Sequence, residues 1–480
     1  MSARLLLASF FLSAAASAQS GAGQAPAVET QPATANAQVT APGTAPGTAP
    51  GTAPGTAIEA QPANTKPLTL DDARALALQR NVDLVNAALQ ARSSEADLVT
   101  ARSNILPSLN FNASLGRIRQ GGGGEQVIQG ISFTPPTNIY TNYSGQLSIR
   151  QLVFDGGAWW NNLEAASLAL RSTQATTDEQ KLTTLYITEQ RFYEYVRAQR
   201  QLVVFTEAAR RSRDQAEQTQ HLYEGGRSTQ ADVYAARANR DNDEITRLGE
   251  ERIVELSRES LSAYIGIDPG APLAVVEPAG LMEDPAPPPK ASEMIDRALA
   301  NRPSLKAASL AAEALRKQVS AAKGGYYPSV SLNGSYGRSG TDLGAITNSP
   351  ELNSTLSGSV NLSWNIFGGF ATTAAVDKAW VQVLVAENNL AAGRRGVASD
   401  VQQAVAQLSV ARVQARIAAQ TAGNAQENLR LARTRQQVGV GTQLEVRDAE
   451  LKLTQSQLAR VGALVDAHQA EAALRRAVGG

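Results

Sequence analysis

From Ala158 to Glu224 the chain contains neither proline nor glycine. A helix of that length would run about 100 Å at 1.5 Å per residue, far beyond what one compact domain needs. Such a helix must lie against other long helices. The stretch from Thr372 to Val438 is similar in length and likewise lacks proline, because the chain makes nearly the same statement twice. In the first half the landmarks are Leu106-Pro107-Ser108-Leu109, Val153-Phe154-Asp155-Gly156-Gly157 and Gly226-Arg227-Ser228-Thr229-Gln230-Ala231-Asp232-Val233. In the second they are Tyr327-Pro328-Ser329-Val330, Ile366-Phe367-Gly368-Gly369 and Gly439-Val440-Gly441-Thr442-Gln443-Leu444-Glu445-Val446. From Phe154 and Phe367 onward the offset is constant at 213 residues. A period that long indicates duplication of a large folding unit rather than a stacked solenoid.

The helices carry seams. In the second copy Val397, Val401, Ala404, Leu408, Ala411, Ala415, Ala418, Ala422, Ala425, Leu429 and Ala432 alternate at spacings of four and three. The first copy gives Tyr195, Ala198, Leu202, Phe205, Ala209, Ser212, Ala216 and Thr219. A sustained period of about 3.5 predicts left-handed coiled-coil packing. The return helix after Thr442 has its own series at Leu444, Leu451, Leu458, Val465 and Ala472. Each repeat therefore holds an antiparallel helical hairpin, turning at Gly226 or at Gly439-Val440-Gly441. A Thr-x-x-acid signal at Thr69 to Asp72 starts an earlier helix, expected to run to about Asn104.

Between Pro107 and Phe154, and between Pro328 and Phe367, the period switches to two. Leu356, Gly358, Val360, Leu362, Trp364 and Ile366 alternate with Ser357, Ser359, Asn361, Ser363 and Asn365. Val330 to Tyr336, Leu109 to Leu115 and Leu147 to Ile149 alternate in the same way. Strands of about ten residues, apolar on one face and Ser/Asn-rich on the other, fit a water-filled membrane barrel. A soluble sandwich gives the same alternation. Two hairpins supply four strands, too few to close a barrel or hide their edges, whereas a ring of three chains would supply about twelve. The segments Gln120 to Asn142 and Arg338 to Ser354 are expected as loops. The tetraglycine at Gly121 to Gly124 lacks the ending of a phosphate loop and reads as flexible surface.

Residues 1–18 read as a secretory signal peptide, with Arg4, an apolar Leu5 to Ala15 run and Ala16-Ser17-Ala18 before Gln19. Residues 19–67, with tandem Ala-Pro-Gly-Thr units from Ala41 to Thr56, read as a disordered tether. No later stretch approaches the roughly 20 apolar residues of a spanning helix. Formal net charge is zero, so no electrostatic argument for nucleic acid arises. There is no cysteine, hence no disulfide framework and no cysteine for a lipid anchor. The first repeat is placed at 68–289 and the second at 290–480.

These landmarks, in their order, resemble the TolC-type outer-membrane efflux protein family over about residues 68 to 480. The segment Leu299 to Leu305 is similar to that family's Asn-Pro entry motif, with Arg302 inserted before Pro303. The resemblance implies a fold that is mainly α with a small membrane β-barrel portion. Each chain would give a duplicated helix, β-hairpin and long helical hairpin to a trimeric α/β channel-tunnel. It implies an outer-membrane exit duct of a tripartite efflux pump or type I secretion system, working with a periplasmic adaptor and an inner-membrane pump. The missing cysteine places the chain with the non-lipidated members. The alternative is a soluble periplasmic coiled-coil scaffold without a pore.

No catalytic constellation is present, and an enzyme is not expected. His221 and His468 fall on separate helices, with no metal-ligand spacing. No cofactor is expected. At the tips, Thr229-x-x-Asp232 and Thr442-x-x-Glu445 fit capping boxes. Asp448 lies one turn beyond Glu445 on the same face, and its first-repeat counterpart is Ala235. The resemblance makes Glu445 and Asp448 acids of a narrow periplasmic entrance. It makes the tips Gly226, Arg227, Ser228, Thr229 and Gly439, Val440, Gly441, Thr442 the adaptor-docking points. The family's tyrosine and arginine latch positions fall on Gln436 and Gly441.

Overall fold

The computed structural model describes residues 67–122, 126–128, 131–133, 137–278, 289–344 and 354–480. The expected signal peptide, nearly all of the tether, and parts of both expected loops (123–125, 129–130, 134–136 and 345–353) lie outside the described residues. The helices are α1 (Leu70–Arg80), α2 (Val82–Ser103), α3 (Ala158–Glu224), α4 (Gln230–Tyr264), α5 (Ala291–Asn301), α6 (Pro303–Lys323), α7 (Ala371–Gln437) and α8 (Gln443–Val478). The strands are β1 (Ser108–Gln120), β2 (Gln126–Ile128), β3 (Ile131–Phe133), β4 (Asn138–Phe154), β5 (Ser329–Gly340) and β6 (Ser354–Ser363). The two long helices, α3 and α7, each have 67 residues.

The opening helix is not continuous to Asn104 as its pattern suggests. It breaks at Asn81, whose extended backbone (φ −63°, ψ 126°) ends α1 while its side chain caps α2 through Leu84 N–H. The second repeat breaks at Arg302, also extended at φ −65° and ψ 120°. There the cause is local, because Pro303 disfavours the helical conformation in the residue before it. Both breaks are tied to the end of a return helix. Asn81 Nδ2 donates to Tyr264 O at 3.1 Å, and Arg302 Nη1 reaches Ala477 O at 3.4 Å. Arg302 is buried and also bonds Asp400 and Glu179. The inserted arginine thus takes over the cross-helix tie that Asn81 makes in the first repeat.

The core is built where α3, α7 and α8 pass the short helices. Val397, Val401, Leu408, Ala411 and Ala415 of α7 pack with Leu464 and Leu474 of α8 and with Leu305 of α6. Phe192, Tyr195 and Val196 of α3 pack with Ala73, Ala77, Leu261, Ile265 and Val465. Most α7 seam residues are buried, while Ala418, Ala425, Leu202 and Phe205 are half-buried. The α8 series needs correction. Leu444 is 78% exposed and Leu451 is exposed too, whereas Val446, Ala449 and Leu453 pack against Leu429 and Ala432. Near the tip the hairpin closes through this second stripe, leaving the leucines on the opposite side of α8. Small residues at Ala449 and Ala432 permit the close approach.

The strands form one antiparallel sheet in the order β1-β4-β5-β6. Its register aligns like with like. Phe111, Leu147, Tyr336 and Leu356 form one row, and Asn110, Ser148, Ser335 and Ser357 form the adjacent row on the other face. The polar rows are stitched by hydroxyls, with Ser114 to Ser144 at 2.7 Å and Ser335 to Ser357 at 2.8 Å. The apolar face is uncovered within the chain, for Leu356 is 82% exposed and Phe111 70%. Both edge strands, β1 and β6, are open on one side. β6 stops at Ser363, so Trp364 and Ile366 fall outside it; the Trp364 indole instead donates to Tyr326 O at 3.1 Å. The segment expected as a loop from Gln120 to Asn142 holds a small ribbon, β2 paired with β3, and β5 extends through Arg338 to Gly340.

Candidate pore entrance and helical tips

At the first tip α3 ends at Gly225, and Gly226 turns the chain with φ +73°. That left-handed backbone suits glycine. Gly226 N–H donates to Tyr223 O at 2.9 Å and Arg227 N–H to Leu222 O at 2.7 Å, satisfying the helix end. Thr229 then caps α4. Asp232 N–H donates to Thr229 Oγ1 at 3.2 Å, and Asp232 Oδ2 accepts Thr229 N–H at 3.0 Å, Thr229 Oγ1 at 2.7 Å and Ser228 Oγ at 3.1 Å. These bonds, led by the Thr229 backbone N–H, hold the Asp232 carboxyl below its ordinary pKa.

The second tip differs. Gly439 turns with φ +80°, and the N–H groups of Val440 and Gly441 both donate to Arg435 O at 3.0 Å. Glu445 N–H donates to Thr442 Oγ1 at 3.2 Å. The reciprocal bond expected of a capping box is absent: the Glu445 carboxylate lies 3.9 Å from the Arg435 guanidinium instead. A cation on the preceding helix draws this head group away from the cap. Gly441 is required by space. A β-carbon there would lie 2.9 Å from Gln436 N and 3.0 Å from Arg435 Cβ. The two positions matched to the family latch therefore touch through backbone, with no room at 441 for an arginine in this turn.

Asp448 follows one turn along α8 and is exposed. Its Oδ2 accepts Lys452 Nζ at 2.6 Å, an i,i+4 partner that the motif reading overlooked. Glu445 and Asp448 thus each face a cation within the chain.

Sequence reasoning also missed the contacts that join the two hairpins behind the tips. Arg447 of α8 donates to both oxygens of Asp243 on α4, at 2.8 and 3.1 Å, with both side chains largely buried. Within the second hairpin Glu450, 3% exposed, accepts Arg433 Nη2 at 2.7 Å. Arg211 of α3 donates to Thr454 of α8 at 3.0 Å, and burial pushes the Arg211 pKa down. A cavity of about 180 Å³ lies beside this network, lined by Ser212, Gln215, Asp232, Asn239, Gln443 and Arg447. The available signal was the charge at positions 447 and 450, adjoining the buried Val446 to Leu453 stripe.

His221 lies 3.6 Å from Glu224, and His468 stacks on Tyr193 with centroids 5.5 Å apart. Among the described residues no group of three metal-ligating side chains gathers. No described helix is long and apolar enough to cross a membrane.

The profile of the family described as "Outer membrane efflux protein" matches residues 73–267 and 294–480. Outer membrane protein TolC of Vibrio cholerae is 26% identical over 332 residues, covering 68% of this chain and 71% of that protein. Protein CyaE of Bordetella pertussis is 28% identical over 338 residues, covering 68% of this chain and 65% of that protein. The solved outer membrane protein VceC of Vibrio cholerae superposes with a TM-score of 0.70 at 19% identity, over 86% of this chain and 96% of its own. The open state of the MtrE outer membrane channel of Neisseria gonorrhoeae gives 0.69 at 21% identity, over 86% and 89%. At such identities the structural matches establish a shared fold.

Proposed function

The chain belongs to the outer membrane efflux protein family, and from that premise we propose how it works: three copies pool their strands to carry a passive duct through the outer membrane. The protein is an outer-membrane channel for efflux or secretion, with a helical extension into the periplasm. The observation that carries the assembly is the bare sheet. Four strands with matched apolar rows, an uncovered apolar face and two open edges cannot persist alone in lipid, where every backbone group must be paired. Further copies pair both edges, and a threefold ring gives a polar, hydroxyl-lined interior with an apolar exterior.

A second asymmetry supports a head-to-tail ring. The strand-to-helix turn at Gly156 is roofed by the same chain: a β-carbon there would lie 2.6 Å from Gly324 O and 2.9 Å from Tyr327 Cβ. The matching Gly369 has nothing within 4 Å. In a heterologous ring the next copy's first repeat supplies the missing roof. The repeats span 68–289 and 290–480 in this reading, preceded by a cleaved signal peptide (1–18) and a tether (19–67).

The tips at Gly226 to Thr229 and Gly439 to Thr442 then face away from the membrane. They receive a periplasmic adaptor that couples the duct to an inner-membrane pump. Glu445 and Asp448 of three chains surround the entrance. No catalytic step, cofactor or nucleic acid enters this reading. Membrane fractionation with a carbonate wash, followed by native mass measurement in detergent, tests it. A trimer retained in the outer membrane is expected; a stable monomer, or one released by carbonate, would overturn the assembly.

A further inference from the structure

The four strands of the sheet hold four arginines, Arg117, Arg119, Arg150 and Arg338, and neither a lysine nor an acid. The pairing register sorts them by face. Arg150 lies in the row of Ser108, Asn333 and Ser359, on the hydroxyl-rich side near the helices. The other three lie on the apolar side, toward the opposite end of the sheet. Arg338 shares a row with Ala113, Gly145 and Ser354, the next row outward on that side from Phe111, Leu147, Tyr336 and Leu356. Arg117 lies opposite Thr141, and Arg119 opposite Ile139. All three are inside strands and their pairing is unbroken there, so the period of two fixes their side.

Arg117 and Arg338 are also counterparts in the duplication, at the offset of 221 residues that relates Pro107 to Pro328. Leu115-Gly116-Arg117 of β1 matches Tyr336-Gly337-Arg338 of β5. Arg117 stands eight positions after Leu109, and Arg338 eight after Val330. A transmembrane strand crosses the hydrocarbon in about 9–11 residues. Each arginine therefore stands where an apolar run that begins beside the helices reaches the far interface. The alternation ends at the same level, for Ile118 takes the polar side between Arg117 and Arg119. An arginine on the lipid side of a strand is costly at the bilayer centre and tolerated near its surface. Among the described residues no carboxylate pairs with Arg117 or Arg119. At the helix end the apolar side bears no charge in any of the four strands.

We propose that Arg117, Arg119 and Arg338 bind the phosphate groups of a phosphorylated glycolipid in the outer leaflet, as a belt that three copies repeat around the barrel. A guanidinium presents a planar fork that fits two phosphate oxygens. Its apolar stem lies along the sheet while the head rises to the headgroups. The proposal rests on the outer-membrane reading of the sheet, whose apolar side faces lipid. Phospholipids of the inner leaflet meet the other end of the sheet, where that charge is missing. Arginines that simply reached water would show no dependence on lipid phosphate.

Full-length protein in detergent is titrated with diphosphoryl lipid A, and bound lipid is counted by native mass spectrometry. Arg117→Gln, Arg119→Gln and Arg338→Gln combined should weaken binding by roughly five-fold per charge removed. Arg150→Gln, on the opposite face, should leave it unchanged. Lipid A stripped of its phosphates should bind the native protein as weakly as intact lipid A binds the triple variant, and phosphatidylglycerol should fail to displace it. Equal binding by native protein and triple variant, or an equal loss in Arg150→Gln, would overturn the site. Full displacement by phosphatidylglycerol would overturn the assignment to a glycolipid. The triple lysine variant, which keeps the charge and loses the fork, is the second arm should the glutamine variant not assemble. Intermediate affinity is expected of it; native affinity would refute recognition by the guanidinium fork. A carbonate wash of outer membranes separates the two levels of failure. Release of the native protein would overturn the membrane reading itself, whereas retained protein without phosphate-dependent binding would overturn this site alone.

Discussion

Arg447 and Asp243 join the return helices of the two hairpins by a two-pronged ion pair, with contacts of 2.8 and 3.1 Å, just behind the tips. This pair alone holds α4 to α8 by charge among the ion pairs described there. Planar guanidinium and carboxylate groups match in such a pair, so its geometry as well as its charge is specific.

Removing one partner leaves the other largely buried without compensation, a loss of about 1–3 kcal/mol. Arg447→Met is expected to loosen α8 against α4 and raise the open-channel conductance of the purified protein in a planar bilayer. Asp243→Asn should act in the same direction. The exchange Asp243→Arg with Arg447→Asp should recover part of the closed behaviour. Unchanged conductance in all three would show that this pair does not restrain the entrance.

The acids proposed for the entrance carry a second expectation. If Glu445 and Asp448 face the channel axis, their carboxylates make the pore prefer cations. Lys452, bonded to Asp448 at 2.6 Å, opposes that preference. Lys452→Gln should therefore strengthen cation selectivity in reversal-potential measurements. Glu445→Gln with Asp448→Asn should weaken it and abolish block by divalent cations. A double variant with native selectivity would place both acids away from the lumen.

Bulk at the tips should interrupt coupling rather than folding. A β-carbon at Gly226 or Gly439 meets open space, although both glycines have positive φ. Any other residue there carries a backbone cost of about 1–2 kcal/mol. Gly226→Ala and Gly226→Trp share that cost and differ in reach. Resistance of cells to an exported toxic compound should survive the alanine variant and be lost with the tryptophan variant. Equal resistance in both would put adaptor docking elsewhere.

Glu250 of α4 is 7% exposed, and its Oε1 has no hydrogen-bond partner. Burial raises its pKa above the ordinary 4.5. A carboxyl whose folded pKa is raised contributes fully below the unfolded value, and that contribution is lost as pH climbs through the folded one. Glu250→Gln is thus expected to stabilise the protein near neutrality by about 1 kcal/mol. The gain should fade as pH falls below about 4.5. A thermal-melting difference that is independent of pH would contradict this origin.

The long helices were legible because proline is absent from them and glycine stands at their turns. Gly226 and Gly439 sit where the turns demand a left-handed backbone, and Pro107 and Pro328 stand one residue before β1 and β5. Strand faces were legible for a related reason, since a period of two assigns Leu356 and Ser357 to opposite sides without reference to distant residues. The Asn81 break left no such trace, because an asparagine inside a helical pattern is compatible with continuing the helix. Its extended backbone is held by Tyr264, 183 positions away. The exposed Leu444 and Leu451 misled for the complementary reason: a heptad series states that a helix has an apolar stripe, not which neighbour covers it. Arg447 and Asp243 are separated by 204 positions, and no local rule connects them.

The uncovered sheet also orders the steps by which the protein is made. The apolar cores of the helical part close within a single chain, as through Leu408 with Leu464 and through Phe192 with Leu261. That part can mature before any partner arrives. The strands cannot, because an isolated chain would carry two hydrogen-bonding edges and an apolar face through an aqueous compartment, a template for edge-to-edge aggregation. In the proposed ring, biogenesis of the strand portion is therefore expected to be concentration-dependent and coupled to membrane insertion, with the chain held soluble by a chaperone until its neighbours arrive.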